Sequence, residues 1–285
     1  MDAESNAGPQ IPGDKAEMTN PVTQSIPEEP ILLRHDEEGI ATLTLNRPKQ
    51  YNALSEALLA ALQESLDEIA KDESVRVIVL AGAGKAFCAG HDLREMRANP
   101  SKDYYRALFR KCSDMMLTMT HIPQPIIARV HGIATAAGCQ LVATCDLAVA
   151  SRDASFATSG INVGLFCSTP GVPLSRNVLR KHAMEMLLTG KFISADDAAK
   201  FGLVNHVVEP DALDEQVLTL ARAIATRSPV AVRTGKQMFY RQIDQELETA
   251  YEYACEVMAT NMMAEDAGEG IDAFLQKRDP KWRGR

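Results

Sequence analysis

The sequence has no disulfide framework, no long apolar run and few aromatic side chains. Its six cysteines form no CxxC pair and lie within apolar segments, which indicates a reducing compartment. No apolar stretch approaches the roughly 20 residues that a membrane-spanning helix needs. Hydrophobic residues make up 46% of the chain and charged residues 24%, as is typical of a soluble globular protein. We therefore expect neither a disulfide-stapled domain nor a membrane partner.

Positive charge is also scarce. The net charge is −8, but residues 1–30 hold six acidic side chains and a single lysine, so the rest of the chain is only slightly acidic. Without a basic surface, nucleic acid is not an expected partner. Five prolines and almost no aliphatic periodicity predict that residues 1–30 are a disordered acidic tail. The tail lacks the features of a signal or transit peptide, so we expect a cytoplasmic location.

Small residues follow a buried strand at two places in the ordered part. After the apolar residues 126–130 come five small residues, 134–138, and a helix that we expect to start at Cys139. The segment FCAGHDL, 87–93, repeats the pattern. Small side chains let a ligand approach the backbone, and the first amides of a helix lack internal partners. Each turn alone is equally well explained by tight packing, but two such amides converging on one carbonyl oxygen would form an oxyanion hole.

Six motifs resemble the crotonase superfamily, the enoyl-CoA hydratase/isomerase family. They are NRPKQYNALS (46–55), GKAFCAGHDL (84–93), HGIATAAGCQLVATCDLAVAS (131–151), FATSGINVGL (156–165), TGKFISADDAAKFGLVNHVV (189–208) and AEDAGEGIDAFLQKRDPKW (264–282). The resemblance implies an α/β crotonase (ClpP-like) fold in which repeated ββα units form a spiral core over 31–225. It also implies a C-terminal helical trimerisation region over 226–285, and a homotrimer or a dimer of trimers.

The same resemblance implies a site for an acyl-CoA substrate, with no metal and no separate cofactor. The backbone amides of His91 and Ala137 would form the oxyanion hole. The positions matched to substrate and coenzyme A contacts are Lys49, Gln50, Tyr51, Ala53, Ala89, Gly90, Asp92, Leu93 and Gly138, together with Phe274 and Lys277 reaching a neighbouring subunit. The basic side chains Arg47, Lys49, Arg94 and Lys277 are alternatively explained as solvated surface charges.

The chain departs from the family pattern at the positions whose side chains transfer protons in hydratases and isomerases. The two hydratase glutamates correspond to Gln140 and Gly160, and a third position used by isomerases corresponds to Ser168. None of these is a carboxylate. Two functions therefore remain open: an enzyme of acyl-CoA metabolism that uses other groups, or a non-catalytic acyl-CoA binder. For the enzyme, the candidate side chains are those of His91, Asp92, Cys167 and Ser168.

The last third of the sequence reads as mostly helical. Residues 169–175 are expected to end a loop and start a helix that runs to Gly190. Ser194 and Asp197 have the spacing of a capping signal, and Ser228 with Pro229 marks a further helix start. An apolar stripe from Tyr240 to Met258 predicts a long helix packed mainly on the chain's own core, although the resemblance implies subunit contacts there.

Overall fold

A computed structural model describes residues 29–285. The acidic tail predicted for residues 1–30 therefore lies almost entirely outside the described residues. A hairpin opens the described part, and three strand pairs separated by helices follow it. The strands are β1 Leu32–Glu37, β2 Ile40–Leu45, β3 Val77–Gly82, β4 Ala86–Cys88, β5 Ile126–Val130, β6 Ile133–Thr135, β7 Leu147–Ser151, β8 Ser155–Ala157, β9 Ile193–Ser194 and β10 His206–Val208.

Helices connect the strand pairs and then make up the C-terminal part of the chain. They are α1 Glu56–Ile69, α2 Leu93–Ala98, α3 Lys102–His121, α4 Ala137–Thr144, α5 Ser168–Asn177, α6 Arg180–Thr189, α7 Ala195–Phe201, α8 Leu213–Ala225, α9 Pro229–Gln242, α10 Leu247–Met262 and α11 Glu265–Gln276. None of the helices in the described part is both long enough and apolar enough to cross a bilayer.

The strand pairs divide between two sheets. The first strand of each pair joins a six-stranded sheet in the order β1-β2-β3-β5-β7-β10, and the second joins a four-stranded sheet in the order β4-β6-β8-β9. Strands β3, β5 and β7 pair in parallel, as do β4, β6 and β8. Each repeat is thus a ββα unit, which confirms the predicted α/β crotonase fold. Because the units are parallel, the turns that follow β4 and β6 lie at the same end of the small sheet.

Local sequence signals fix several helix ends as predicted. The Ser55 hydroxyl caps α1 by accepting a hydrogen bond from the Leu58 amide at 3.1 Å. Ser194 caps α7 in the same way through the Asp197 amide, and Gly202 ends that helix with a φ of +90°. Ser228 caps α9, with Pro229 as its first residue.

The structure differs from the sequence prediction around residues 168–190. We expected a loop followed by one helix, but α5 begins at Ser168 and α6 follows after a break at Val178 and Leu179. Pro170 is the third residue of α5, where the backbone N–H has no intrahelical acceptor, so the missing donor costs little. Pro173 lies farther inside α5, and the helix accommodates both prolines.

The apolar stripe near the C-terminus is not an internal core. It is split between α9 and α10, and none of the residues of α10 is buried. Leu247, Tyr251 and Met258 are 72%, 66% and 64% exposed. Their spacing places them on one face of the helix. The prediction that this stripe packs mainly on the chain's own core is therefore wrong.

One buried ion pair ties the C-terminal helices to the core. The Lys236 ammonium of α9 donates to Asp146 Oδ2 at 2.8 Å and to the carbonyl oxygens of Met119 and Gln124. The same oxygen of Asp146 accepts the Ile126 amide of β5 at 2.7 Å. Burial lowers the pKa of Lys236, and Asp146 opposes that shift. All three ammonium protons therefore have an acceptor.

Candidate functional site

A cavity of about 840 Å³ lies where the two small-residue turns meet. Its walls come from the loop 46–55, the start of α2, α3, the start of α4 and the segment 159–170. The residues that line it are Arg47, Lys49, Gln50, Tyr51, Ala53, Ala89, His91, Asp92, Leu93, Arg94, Glu95, Met96, Phe109, Ala136, Ala137, Ser159, Gly160, Val163, Leu165, Phe166, Cys167, Ser168, Thr169 and Pro170.

The first predicted amide, that of His91, is left free by a short parallel pairing. The Leu54 amide donates to the Gly90 carbonyl at 2.7 Å, and the Asp92 amide donates to the Leu54 carbonyl at 3.0 Å. In parallel pairing, the residue between two such bonds turns its own N–H to the other side. His91 is that residue. Its N–H makes no hydrogen bond to the described residues.

The second predicted amide, that of Ala137, is the first of helix α4. The preceding amide, of Ala136, donates to the Ala157 carbonyl at 3.0 Å, whereas that of Ala137 has no acceptor within residues 29–285. Ala136 has a φ of +51° and a ψ of −118°, an unfavourable conformation for a residue with a Cβ atom. This strained residue turns the chain into α4. Two unpaired amides, from two turns, thus belong to residues that line one cavity.

Glycines allow these two turns to touch. A Cβ atom on Gly90 would lie 2.9 Å from the Ala136 Cβ and 3.3 Å from the Ala137 nitrogen. A Cβ atom on Gly138 would lie 2.0 Å from the Cys88 carbonyl oxygen. Neither glycine lines the cavity, although both were predicted as binding residues. Their contribution is the close backbone approach that brings the His91 and Ala137 amides to one place.

Asn52 holds the wall of the cavity on the side of the loop 46–55, and it was not among the predicted site residues. Its side-chain amide donates to the carbonyl oxygens of Ala83 and Ala86 at 2.8 and 2.7 Å. Its side-chain oxygen accepts the Arg47 amide at 2.9 Å. Asn52 is fully buried and has a φ of +55°, a conformation that asparagine adopts more readily than most residues. The signal available in the sequence was an asparagine within the predicted loop, shortly before the predicted helix cap at Ser55.

The predicted candidate Asp92 is already engaged by other groups. Its carboxylate accepts a hydrogen bond from the Arg47 guanidinium at 3.0 Å and caps α2 through the Arg94 amide at 3.1 Å. Burial alone would raise the pKa of Asp92, but the hydrogen bonds from Arg47 and from the amides of Arg94 and Glu95 lower it. Asp92 is therefore a fixed anion that orders the loop and not a group poised to exchange a proton.

The His91 side chain is placed unfavourably for acid–base chemistry. Its ring packs edge-on against Phe109, with 5.5 Å between the ring centroids. Both ring nitrogens are buried and have no hydrogen-bond partner among the residues described. Burial lowers the pKa of His91 to about 4, so the ring is neutral near pH 7. In this arrangement an occupant of the cavity does not reach either nitrogen.

Gly160 lies on the cavity wall, but no side chain fits there. A Cβ atom on it would lie 2.6 Å from the Leu165 carbonyl oxygen and 2.7 Å from the Cys167 sulfur. The Gly160 amide donates to that sulfur at 3.3 Å. Burial raises the pKa of the Cys167 thiol, which keeps it protonated and weakly nucleophilic near pH 7.

The other two positions of the missing carboxylates are equally unreactive. Gln140 is buried and does not line the cavity, and its side-chain oxygen has no hydrogen-bond partner in the described part. The Ser168 hydroxyl lies at the cavity as the first residue of α5. It contacts only the Phe166 carbonyl, at 3.4 Å, so no base activates it. The described residues also include no cluster of three or more His, Cys, Asp or Glu side chains suited to a metal ion.

Of the predicted binding residues, one group lines the cavity and another does not. Lys49, Gln50, Tyr51, Ala53, Ala89 and Leu93 line it. Phe274 and Lys277 lie elsewhere, exposed at the end of α11, so a single chain does not bring them to the cavity. Five apolar residues of the cavity wall were not predicted from the sequence. These are Met96, Phe109, Val163, Leu165 and Phe166.

The chain is similar to known proteins along most of its length. Residues 35–285 match the family model described as enoyl-CoA hydratase/isomerase. A crystal structure of a Mycobacterium smegmatis enoyl-CoA hydratase shares 63% identity and superimposes with a TM-score of 0.88, covering 89% of this chain and 99% of that one. Rat enoyl-CoA hydratase domain-containing protein 3, mitochondrial, is 47% identical over 86% of this chain and 82% of its own. The 2,3-dehydroadipyl-CoA hydratase of Escherichia coli is 36% identical over 87% and 97%.

These similarities correct the expected location. The rat, mouse and human relatives are all named mitochondrial, which contradicts the cytoplasmic expectation. That expectation rested on a tail without transit-peptide features and on reduced cysteines. Free thiols distinguish a reducing compartment from an oxidising one without telling two reducing compartments apart.

Gly138→Ala tests the contact between the two turns. The added methyl group would meet the Cys88 carbonyl at 2.0 Å, so we expect the free energy of unfolding to fall by about 1–3 kcal/mol or more. Gly235→Ala on α9 is the control, because its Cβ atom would meet nothing within 4 Å and alanine favours a helix. Denaturant unfolding measures both. Equal stabilities of the two variants would show that the turns do not need this approach.

Proposed function

Because the chain belongs to the enoyl-CoA hydratase/isomerase family, we propose that it binds an acyl-CoA thioester in this cavity. The thioester oxygen accepts hydrogen bonds from the backbone amides of His91 and Ala137. The observation that carries the proposal is that these two amides, unpaired within the described chain, come from different turns and belong to residues that line one cavity. The substrate itself supplies the coenzyme A, and no separate cofactor is needed.

The amides would act on a negative charge that develops on this oxygen. An enolate forms when a proton leaves, or has yet to reach, the carbon next to the thioester carbonyl. Fixed N–H donors stabilise such an anion without reorganising, and the positive end of α4 adds to their effect. At the cavity edge, the exposed Lys49 and Arg94 make no ion pair within the described part of the chain. They would suit the phosphates of coenzyme A.

Ala137→Pro tests the hole directly. Proline removes one donor, so we expect thioester affinity to fall, together with any turnover by about 10²–10³-fold. Ala137→Gly keeps the N–H and should change either quantity little. A titration with acyl-CoA and a turnover assay measure the effect.

Melting curves must accompany both variants, because a proline also restricts the strained residue before it. A folded Ala137→Pro protein with unchanged thioester binding would overturn the assignment of the hole.

None of the candidate side chains of the site is well placed to transfer a proton. Asp92 is paired with Arg47, His91 is neutral with buried nitrogens, and the Cys167 thiol accepts the Gly160 amide. We infer that the chain is a poor hydratase. The same three observations favour a second function, a non-catalytic acyl-CoA binder that keeps the fold and the oxyanion hole.

The rate of crotonyl-CoA hydration distinguishes an efficient hydratase from a poor hydratase and from a non-catalytic acyl-CoA binder. Each positioned acid or base typically contributes about 10²–10⁴-fold, so without the two carboxylates we expect turnover far below that of a hydratase assayed in parallel. Gly160→Glu should not restore the rate, because its side chain would collide with Leu165 and Cys167. Rapid hydration by the unmodified protein would show that other groups transfer the protons.

We also propose that the exposed apolar face of α10 is a subunit contact in a homotrimer or a dimer of trimers. This assembly would allow Phe274 and Lys277 to serve a neighbouring subunit's cavity. Tyr251→Glu combined with Met258→Glu should shift the protein to monomers, because charges are costly to bury at a contact. Glu256→Gln, exposed on the same helix, should leave the assembly intact. Light scattering measures the mass, and a monomeric unmodified protein would disprove the proposal.

A further inference from the structure

The charged groups of the cavity are confined to one part of its wall. All five charged lining residues, Arg47, Lys49, Asp92, Arg94 and Glu95, lie on the loop 46–55 or at the start of α2. The segment 159–170 contains no charged residue. Arg47 is paired with Asp92, and Glu95 accepts the Glu56 amide at 2.9 Å. A ligand that runs along 159–170 therefore meets no cation there.

The same segment presents apolar side chains to the solvent. Val163, Leu165 and Phe166 are 62%, 50% and 48% exposed in the single chain, and all three line the cavity. Met96 and Phe109 continue this surface, which we name the apolar wall. An alkyl chain laid against it would remove apolar area from water on both partners. The wall is continuous with the cavity that contains the oxyanion amides.

The segment with the apolar wall is joined directly to the turn at Ala137. The Thr135 and Ser159 hydroxyls are 2.7 Å apart, and the Ala136 amide donates to Ala157, two residues before Ser159. A group attached to a carbonyl at the Ala137 amide is therefore next to this segment. The basic residues stand on the other chain segments, where the phosphates would bind.

We propose that the acyl group is an uncharged alkyl chain of more than two carbons, and that Val163, Leu165 and Phe166 determine this specificity. The inference rests on the proposed function and narrows it. An acyl chain ending in a carboxylate is disfavoured, because the segment 159–170 offers no cation and the basic lining residues stand on the other chain segments. A two-carbon acyl group is bound weakly because it leaves the wall uncovered.

Calorimetric titration with a series of thioesters tests the proposal. From acetyl-CoA to butyryl-, hexanoyl- and octanoyl-CoA, affinity should rise by up to about fourfold per methylene. Hexanoyl-CoA and adipyl-CoA have acyl groups of equal carbon number, and the former should bind at least about tenfold more tightly. A flat series, or equal binding of this pair, would overturn the inference. Failure of every thioester to bind would instead overturn the proposed function.

Single-residue variants test whether the apolar wall causes the dependence of affinity on the length and charge of the acyl chain. Phe166→Ala should reduce octanoyl-CoA affinity several-fold more than acetyl-CoA affinity. Phe192→Ala is the matched control, because Phe192 is 51% exposed and does not line the cavity. Val163→Lys should narrow the gap between hexanoyl- and adipyl-CoA by supplying the absent cation. If Phe166→Ala changes the oligomeric mass and leaves the chain-length series unaltered, the segment is a subunit contact and the inference is wrong.

Discussion

The site depends on the close approach of two backbone turns. Gly90 lies against Ala136, and Gly138 lies against the Cys88 carbonyl, at distances that leave no room for a methyl group. Two parallel ββα units bring these turns to one end of the small sheet. The pairing with Leu54 leaves the His91 amide free, the start of α4 leaves the Ala137 amide free, and this packing brings both residues to one cavity. Side-chain identity at 91 and 137 therefore matters less than the absence of side chains at 90 and 138.

The chemistry of the cavity follows from how its polar side chains are already engaged. Arg47 holds Asp92, Asn52 holds the loop 46–55, and Cys167 accepts the Gly160 amide. These contacts give rigid walls, but they also occupy the groups that could have moved protons. What remains available to a ligand is a pair of N–H donors and an apolar surface. Such a site is suited to hold a carbonyl oxygen and an alkyl chain.

Patterns within short segments were predictable, and contacts between distant segments were not. The cap at Ser55 and the two small-residue turns are encoded by neighbouring residues, and the structure has each of them. The ββα repeat was implied by the family resemblance. By contrast, Asp92 looked like a free carboxylate because its partner, Arg47, comes from another loop. The steric block at Gly160 likewise depends on the later residues Leu165 and Cys167. At α5, the prolines suggested a loop because their position within the first turns could not be known.

The buried Lys236–Asp146 pair has a consequence for communication between assembly and site. Lys236 belongs to α9, while Asp146 also accepts the amide of Ile126, where β5 begins. Strand β5 leads through β6 to the turn at Ala137. In the assembly proposed above, a displacement of the C-terminal helices would therefore act on the same hydrogen-bonded unit that sets the start of this strand. The pair thus links α9 mechanically to the strand that leads to the proposed oxyanion amide of Ala137.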